Sequence, residues 1–229
     1  FIGTKNSFWH NKSRYTKYFV CLLILFFTLL KRKKKPLVFA FQANIYAVII
    51  AKVLNIKIIT RSNSAPVGWS QNYIKNFLYK FFIKFSDDIM VNSIEFKKTF
   101  EKKFKVKVNC IYNPFNKNFI LKKIKIKKKI IFFEKNYLNI ISVGRLTDQK
   151  DHLTLIKSIK LLKQNFKVRL IIIGKGNNKE ILKKYIFDNN LQNKIKLFGY
   201  TNNPFPYIQK ADIVALTSKF EGLPNILLE

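Results

Sequence analysis

The chain is 229 residues long and 48% hydrophobic, with 44 Lys and Arg against 12 Asp and Glu for a net charge of +32. That apolar content fills the core of one large or two small domains and excludes a disordered chain, and two cysteines exclude a disulfide framework. The charge favours anionic partners such as nucleic acid, nucleotides or acidic lipid, although Lys, Ile, Asn and Phe are over-used together, as a genome-wide codon bias would also produce.

In chain order, the apolar run YFVCLLILFFTLL at 18–30 comes first. It is shorter than the roughly 20 residues a spanning helix needs, so it reads as a buried helix whose C-terminal end is followed by KRKKK at 31–35. A helix lying on an anionic membrane surface is the alternative. Strands follow at 36–42, 56–62, 88–93 and 105–114, with helices at 44–55, 71–86 and 94–104 between them. A lysine-rich stretch without Gly or Pro then reads as a connector, and a second series begins. Its strands are at 139–144, 168–174, 194–200 and 212–218, and its helices at 152–165, 179–189 and 203–211. This βαβ rhythm predicts an α/β protein with two Rossmann-like domains, both incomplete, whose parallel sheets face a cleft. The expected division is 1–116, a connector at 117–138, and 139–229. Cys21 and Cys110 lack metal-ligand spacing and read as buried free thiols in a reducing compartment. No signal peptide is visible. The start at Phe1 and the end inside a helical pattern read as a fragment.

In an open parallel sheet the ligand sits beyond the C-terminal strand ends. After strand 139–144 comes RLTDQKD, where Arg145 and Lys150 lie beside a helix that Asp151 is placed to cap. Two cations beside a helix N-terminus suit phosphate, although solvated cations are common in so lysine-rich a chain. The loop GKGNN at 174–178 has glycines that permit close backbone approach but lacks the G-x-G-x-x-G fingerprint, and an ordinary turn accounts for it. At the end of the sequence, SKFEGLPNILLE sets Glu221 at a strand-to-helix turn and Glu229 inside a helix that Pro224 begins. His10 reads as a loop histidine and His152 as structural. Asp87-Asp88 has the look of a metal-binding pair but stands where a turn would.

Taken together, ISVGRLTDQKDHLTLIKSIKLL, LIIIGKG, Ala211-Asp212, TSKFEGLPN and Glu229 resemble the nucleotide-sugar domain of family 4 retaining glycosyltransferases, of GT-B fold. Upstream, IYNPF at 111–115 and the run from Lys35 to Pro66 resemble the family's N-terminal domain. The resemblance implies transfer of a hexose or N-acetylhexosamine from a nucleotide diphosphate sugar, UDP-linked, to a glycan or lipid-linked acceptor with retention. It implies no metal and no other cofactor. Arg145 and Lys150 would hold the diphosphate, Glu221 the donor sugar, Gly222, Leu223 and Asn225 the sugar and phosphate, and Glu229 the ribose. The family's first strand with its glycine-rich turn and its C-terminal crossing helix have no counterpart here, so activity is expected of a longer protein. A cytoplasmic location is expected, with peripheral contact to an anionic inner membrane face and no nucleic-acid partner. Two readings compete: a GT-B-fold sugar-nucleotide epimerase, and a basic nucleic-acid-binding protein, which Glu221 and Glu229 at a basic site argue against.

Overall fold

The computed structural model describes residues 13–41, 44–63, 73–125, 130–163 and 165–229. His10 and the start of the helix expected from 71 lie outside these residues. The chain divides into two compact units, Phe1–Tyr112 and Asn113–Glu229.

The first unit runs α1 (Arg14–Leu30), β1 (Val38–Phe41), α2 (Asn44–Val53), β2 (Ile58–Ser62), α3 (Tyr73–Ile83), β3 (Asp88–Val91), α4 (Ile94–Phe104) and β4 (Asn109–Cys110). Its sheet has the order β1-β2-β3-β4, parallel throughout, as strands joined by crossover helices require. Helix α4 shows how the sequence sets an element. Ser93 Oγ accepts the Phe96 N–H at 3.1 Å, and Phe96, Phe100 and Phe104 recur every four residues to form a buried face against Ile83, Ile89 and Val91. The strand expected over 105–114 shortens to Asn109–Cys110, because Lys105 ends α4 in the left-handed region (φ 55°) and the Val108 N–H donates to Glu101 Oε1 at 3.0 Å instead of entering the ladder.

Two expectations about side chains change in this unit, the burial of α1 and that of the cysteines. Helix α1 is not buried: Phe19 is 62% exposed and Phe27 53%, and its half-buried Leu29 packs against the core around Val48 and Ile58. No helix among the described residues is long and apolar enough to cross a membrane. Cys21, expected inside, is exposed, and Cys110 is half-buried. Asp87 and Asp88 are used as structural ties. Asp87 Oδ2 accepts from Lys52 Nζ at 2.8 Å and from the Ile58 N–H at 2.7 Å, and Asp88 Oδ1 accepts from Asn109 Nδ2 at 2.8 Å. The bond from Lys52, followed by the one from Ile58, lowers the Asp87 carboxyl below its ordinary 3.8.

The second unit runs α5 (Lys117–Ile124), β5 (Leu138–Val143), α6 (His152–Leu161), β6 (Val168–Ile173), α7 (Lys179–Asp188), β7 (Ile195–Gly199), α8 (Phe205–Gln209), β8 (Ile213–Val214) and α9 (Asn225–Leu228). Helix α5 falls in the stretch read as a connector; Asn116 Oδ1 caps it by accepting the Phe119 N–H at 2.9 Å. The parallel sheet has the order β7-β6-β5-β8. Alternate residues of β5 and β6 point to opposite faces and feed separate cores. Ile140, Leu170 and Ile172 meet Leu155, Ile156 and Leu182, whereas Ile141, Ile171 and Ile173 meet Tyr207, Phe132 and Phe133. Both faces are covered, which accounts for the adjacent apolar residues Ile140-Ile141 in β5 and Leu170 to Ile173 in β6. The chain steps outward from β5 through β6 to β7 and then returns to β8 on the other side of β5. That reversal is a topological switch point.

Candidate functional site

At a switch point the loops leaving the two central strands part in opposite directions and open a crevice at the C-terminal edge. Here those loops are 144–151 after β5 and 215–224 after β8. They carry Arg145, Lys150 and Glu221.

Backbone contacts fix the first loop. The Gly144 N–H donates to Ile173 O at 2.9 Å, the Leu146 N–H to Lys175 O at 3.0 Å, and the Asn178 N–H returns to Leu146 O at 3.0 Å. The glycines of GKGNN serve this lacing. A Cβ on Gly174 would stand 1.8 Å from Gly144 O, and one on Gly176 would stand 2.2 Å from Leu146 O. Their lack of a side chain therefore lets one loop's backbone lie on another's. Thr147 O then accepts the N–H groups of Lys150 and Asp151 at 3.1 and 3.3 Å, making the turn that ends at α6. Asp151 holds the N-cap position, but not as expected. Its backbone is left-handed (φ 46°) and its carboxylate accepts the Thr154 hydroxyl at 2.9 Å rather than a backbone N–H.

The second loop is bonded to the first. Thr217 Oγ1 lies 3.2 and 3.0 Å from the backbone oxygens of Lys150 and Asp151, to which it donates, and the Lys219 N–H donates to Gln149 O at 2.8 Å. Gln149 Nε2 donates to Phe220 O at 3.1 Å. These contacts bring Lys150 Nζ to 2.5 Å from Glu221 Oε1, with the two side chains 15% and 20% exposed. Arg145 is exposed, and its Nη2 reaches Gln149 Oε1 at 3.4 Å. Thus a carboxylate and two cations converge from strand ends, a disposition that can hold a phosphate and a polyol side by side.

Of the remaining sequence candidates, Gly222 and Leu223 are half-buried in the loop that follows Glu221, and Pro224 stands one residue before α9 in extended backbone (ψ 96°) rather than inside the helix. Asn225 Oδ1 accepts from Asn113 Nδ2 at 2.6 Å. Glu229 closes α9, its N–H donating to Asn225 O at 3.0 Å and its side chain exposed. Sequence reasoning missed Gln149 and Thr217, the residues that join the loops; a polar residue facing a loop some 70 positions away leaves no trace in spacing. His152 is buried, with Nδ1 3.3 Å from Ser142 Oγ. Burial is the main cause that holds its imidazole below the ordinary 6.5, with Lys150 adding to it and the backbone of Arg145 and Gly144 working against it. It is therefore neutral at pH 7. Among the described residues no group of His, Cys, Asp and Glu could hold a metal ion. A hollow of about 560 Å³ along α7 and β7, lined by Lys183, Phe187 and Leu197, lies away from these strand ends. Topology and charge, not hollow size, select the crevice.

Two parallel α/β units, the second with Arg145, Lys150 and Glu221 at its switch point, define the class: an α/β protein of GT-B fold. The same fold is seen in a crystal structure of Anabaena HepE in complex with UDP-glucose, which superimposes with a TM-score of 0.70 at 18% identity over 86% of this chain and 56% of that one. Residues 123–229, most of the second unit, match the family model of glycosyl transferases group 1. An uncharacterized glycosyltransferase of Methanocaldococcus jannaschii is 36% identical over 66% of the chain and 39% of its own length. The N-acetylgalactosamine-N,N'-diacetylbacillosaminyl-diphospho-undecaprenol 4-alpha-N-acetylgalactosaminyltransferase of Campylobacter jejuni is 31% identical over 80% of the chain and 51% of its own length. The chain thus spans 39% and 51% of the length of these curated relatives.

Proposed function

We propose that the whole protein is a retaining glycosyltransferase that moves a hexose or N-acetylhexosamine from a UDP-linked donor to a glycan or lipid-linked acceptor, without a metal or other cofactor. The observation that carries this reading is the convergence of Arg145, Lys150 and Glu221 at the switch point between β5 and β8. In this reading Arg145 and Lys150 neutralise the diphosphate and stabilise the charge that grows on it as the bond to the sugar breaks. Glu221 accepts a hydroxyl of the donor sugar, with Gly222, Leu223 and Asn225 offering polar groups alongside, and Glu229 accepts the two hydroxyls of the ribose. The acceptor class is drawn from the Campylobacter relative, whose name specifies an undecaprenol-linked acceptor. The base is drawn from the Anabaena structure with UDP-glucose. The test is calorimetry of the full-length protein with UDP, GDP, ADP and CDP. UDP is expected to bind tightest, and absence of binding by all four would remove the reading.

The first unit is proposed to rest on an anionic membrane surface at the cytoplasmic face, where a lipid-linked acceptor would be met. On α1 the exposed Phe19, Leu23, Phe27 and Leu30 fall on one helical face, and the exposed cations 31–35 follow it directly. On α3 the exposed Ile74, Phe77, Leu78 and Phe81 make a second such stripe, beside the exposed Lys80 and Lys84. No acidic residue precedes Asp87 in the chain, so nothing on these helices opposes an anionic surface. Each lysine near such a surface contributes about 1 kcal/mol. Co-sedimentation is expected to be strong with vesicles containing phosphatidylglycerol, weak with phosphatidylcholine alone, and to fall in high salt. Equal recovery on both vesicle types would count against the surface.

A further inference from the structure

We infer that Gln149 is a positioning residue of the switch-point crevice, a tie that holds Arg145 and the loop leading to Glu221 in one register; the role in transfer rests on the functional reading above. Its side-chain amide is used at both ends. Nε2 donates to Phe220 O at 3.1 Å and Oε1 accepts from Arg145 Nη2 at 3.4 Å, while the residue's own backbone oxygen accepts the Lys219 N–H at 2.8 Å. One residue therefore touches the cation on one side of the switch point and the carboxylate loop on the other.

The sheet alone does not set that spacing. Strands β5 and β8 pair over two registers, Ile140 with Ile213 and Ile141 with Val214, and the second loop runs seven residues beyond the last pair before it reaches Glu221. Bonds between the loops have to fix where Glu221 stands relative to Arg145 and Lys150. A neutral amide can donate in one direction and accept in the other, which neither a carboxylate nor an ammonium group can do. Glutamate at this position would repel the Phe220 carbonyl and neutralise Arg145, taking it from the diphosphate. Lysine would keep the bond to Phe220 and repel Arg145. Methionine fills a similar volume and makes neither bond.

The experiment uses the full-length protein and Gln149→Met. Without any ligand, hydrogen exchange at 217–222 is expected to quicken roughly threefold to tenfold, the loss of one net hydrogen bond, with α7 and the melting temperature unchanged. With donor and acceptor, kcat is expected to fall about tenfold while KM for the donor moves less, because the cations remain but are misplaced relative to Glu221. Gln149→Glu is expected to lose affinity for UDP as well, since it captures Arg145. Unchanged exchange at 217–222 in Gln149→Met overturns the tie whatever the ligand does. A lower melting temperature with unchanged kcat also overturns it, in favour of a merely structural role. If the wild-type protein binds no nucleoside diphosphate yet exchange still quickens in the variant, the functional reading fails and the tie stands.

Discussion

Lys150→Ala is expected to lower the turnover of the full-length protein by about a hundredfold or more, with Arg145→Ala of similar size, since each removes a positive charge proposed to face the leaving diphosphate. The two should differ in what else they disturb. Arg145 is exposed and its contact with Gln149 is long, so Arg145→Ala should leave the melting temperature where it was. Lys150 is largely enclosed with Glu221, and removing it strands a carboxylate that is only 20% exposed. Lys150→Ala should therefore also lower the melting temperature, and adding Glu221→Gln should restore part of it, a non-additivity that reports the contact between them. Turnover and thermal melts on the three variants are the measurements. Near-normal turnover in both single variants would withdraw the cations from the site.

The two carboxylates should separate in a binding experiment. Glu229→Gln is expected to weaken UDP binding by roughly tenfold to a hundredfold, because the amide keeps an acceptor but loses the charge that, in the proposed reading, strengthens bonds from the ribose hydroxyls. Glu221→Gln is expected to bind free UDP as well as the wild type or better. Lys150 Nζ donates to Glu221 Oε1, and neutralising Glu221 weakens that hold on the ammonium group proposed to meet the diphosphate. Transfer by Glu221→Gln should nevertheless fall about a hundredfold, since the sugar loses the group proposed to orient it. Calorimetry with free UDP and a transfer assay read the two effects. Equal loss of UDP affinity in both variants, or in neither, would show that the roles are wrongly divided.

The rhythm of strands and helices was legible because local periodicity reports burial: Phe96, Phe100 and Phe104 mark the inner face of α4, and adjacent apolar residues such as Ile140-Ile141 in β5 and Leu170 to Ile173 in β6 mark strands covered on both sides. What depends on contacts between distant segments was not legible. The order β7-β6-β5-β8 follows from where the returning chain docks, and no residue of β8 announces that its neighbour is β5. For the same reason Lys150 and Glu221 could be named separately but not seen to touch. Asp151 was read from a capping preference, and the left-handed turn before α6 instead aims its carboxylate at Thr154. Helix α1 was read as buried because its apolar run is too short to span a membrane and ends in lysines, whereas Phe19, Leu23, Phe27 and Leu30 are exposed.

The lacing of 174–176 onto 144–146 restricts how such a protein can diversify. With Gly174 and Gly176 pressed against the backbone oxygens of Gly144 and Leu146, the loops after β5 and β6 behave as one block, and any side chain admitted at either glycine must be answered by a shift in the neighbouring loop. Lineages that alter donor choice through these loops would be free to change the outward-facing residues Lys175 and Asn177, and would have to inherit the glycine frame unchanged. A laboratory graft of a foreign loop at 174–178 should accordingly be made together with 144–151, as a matched cassette.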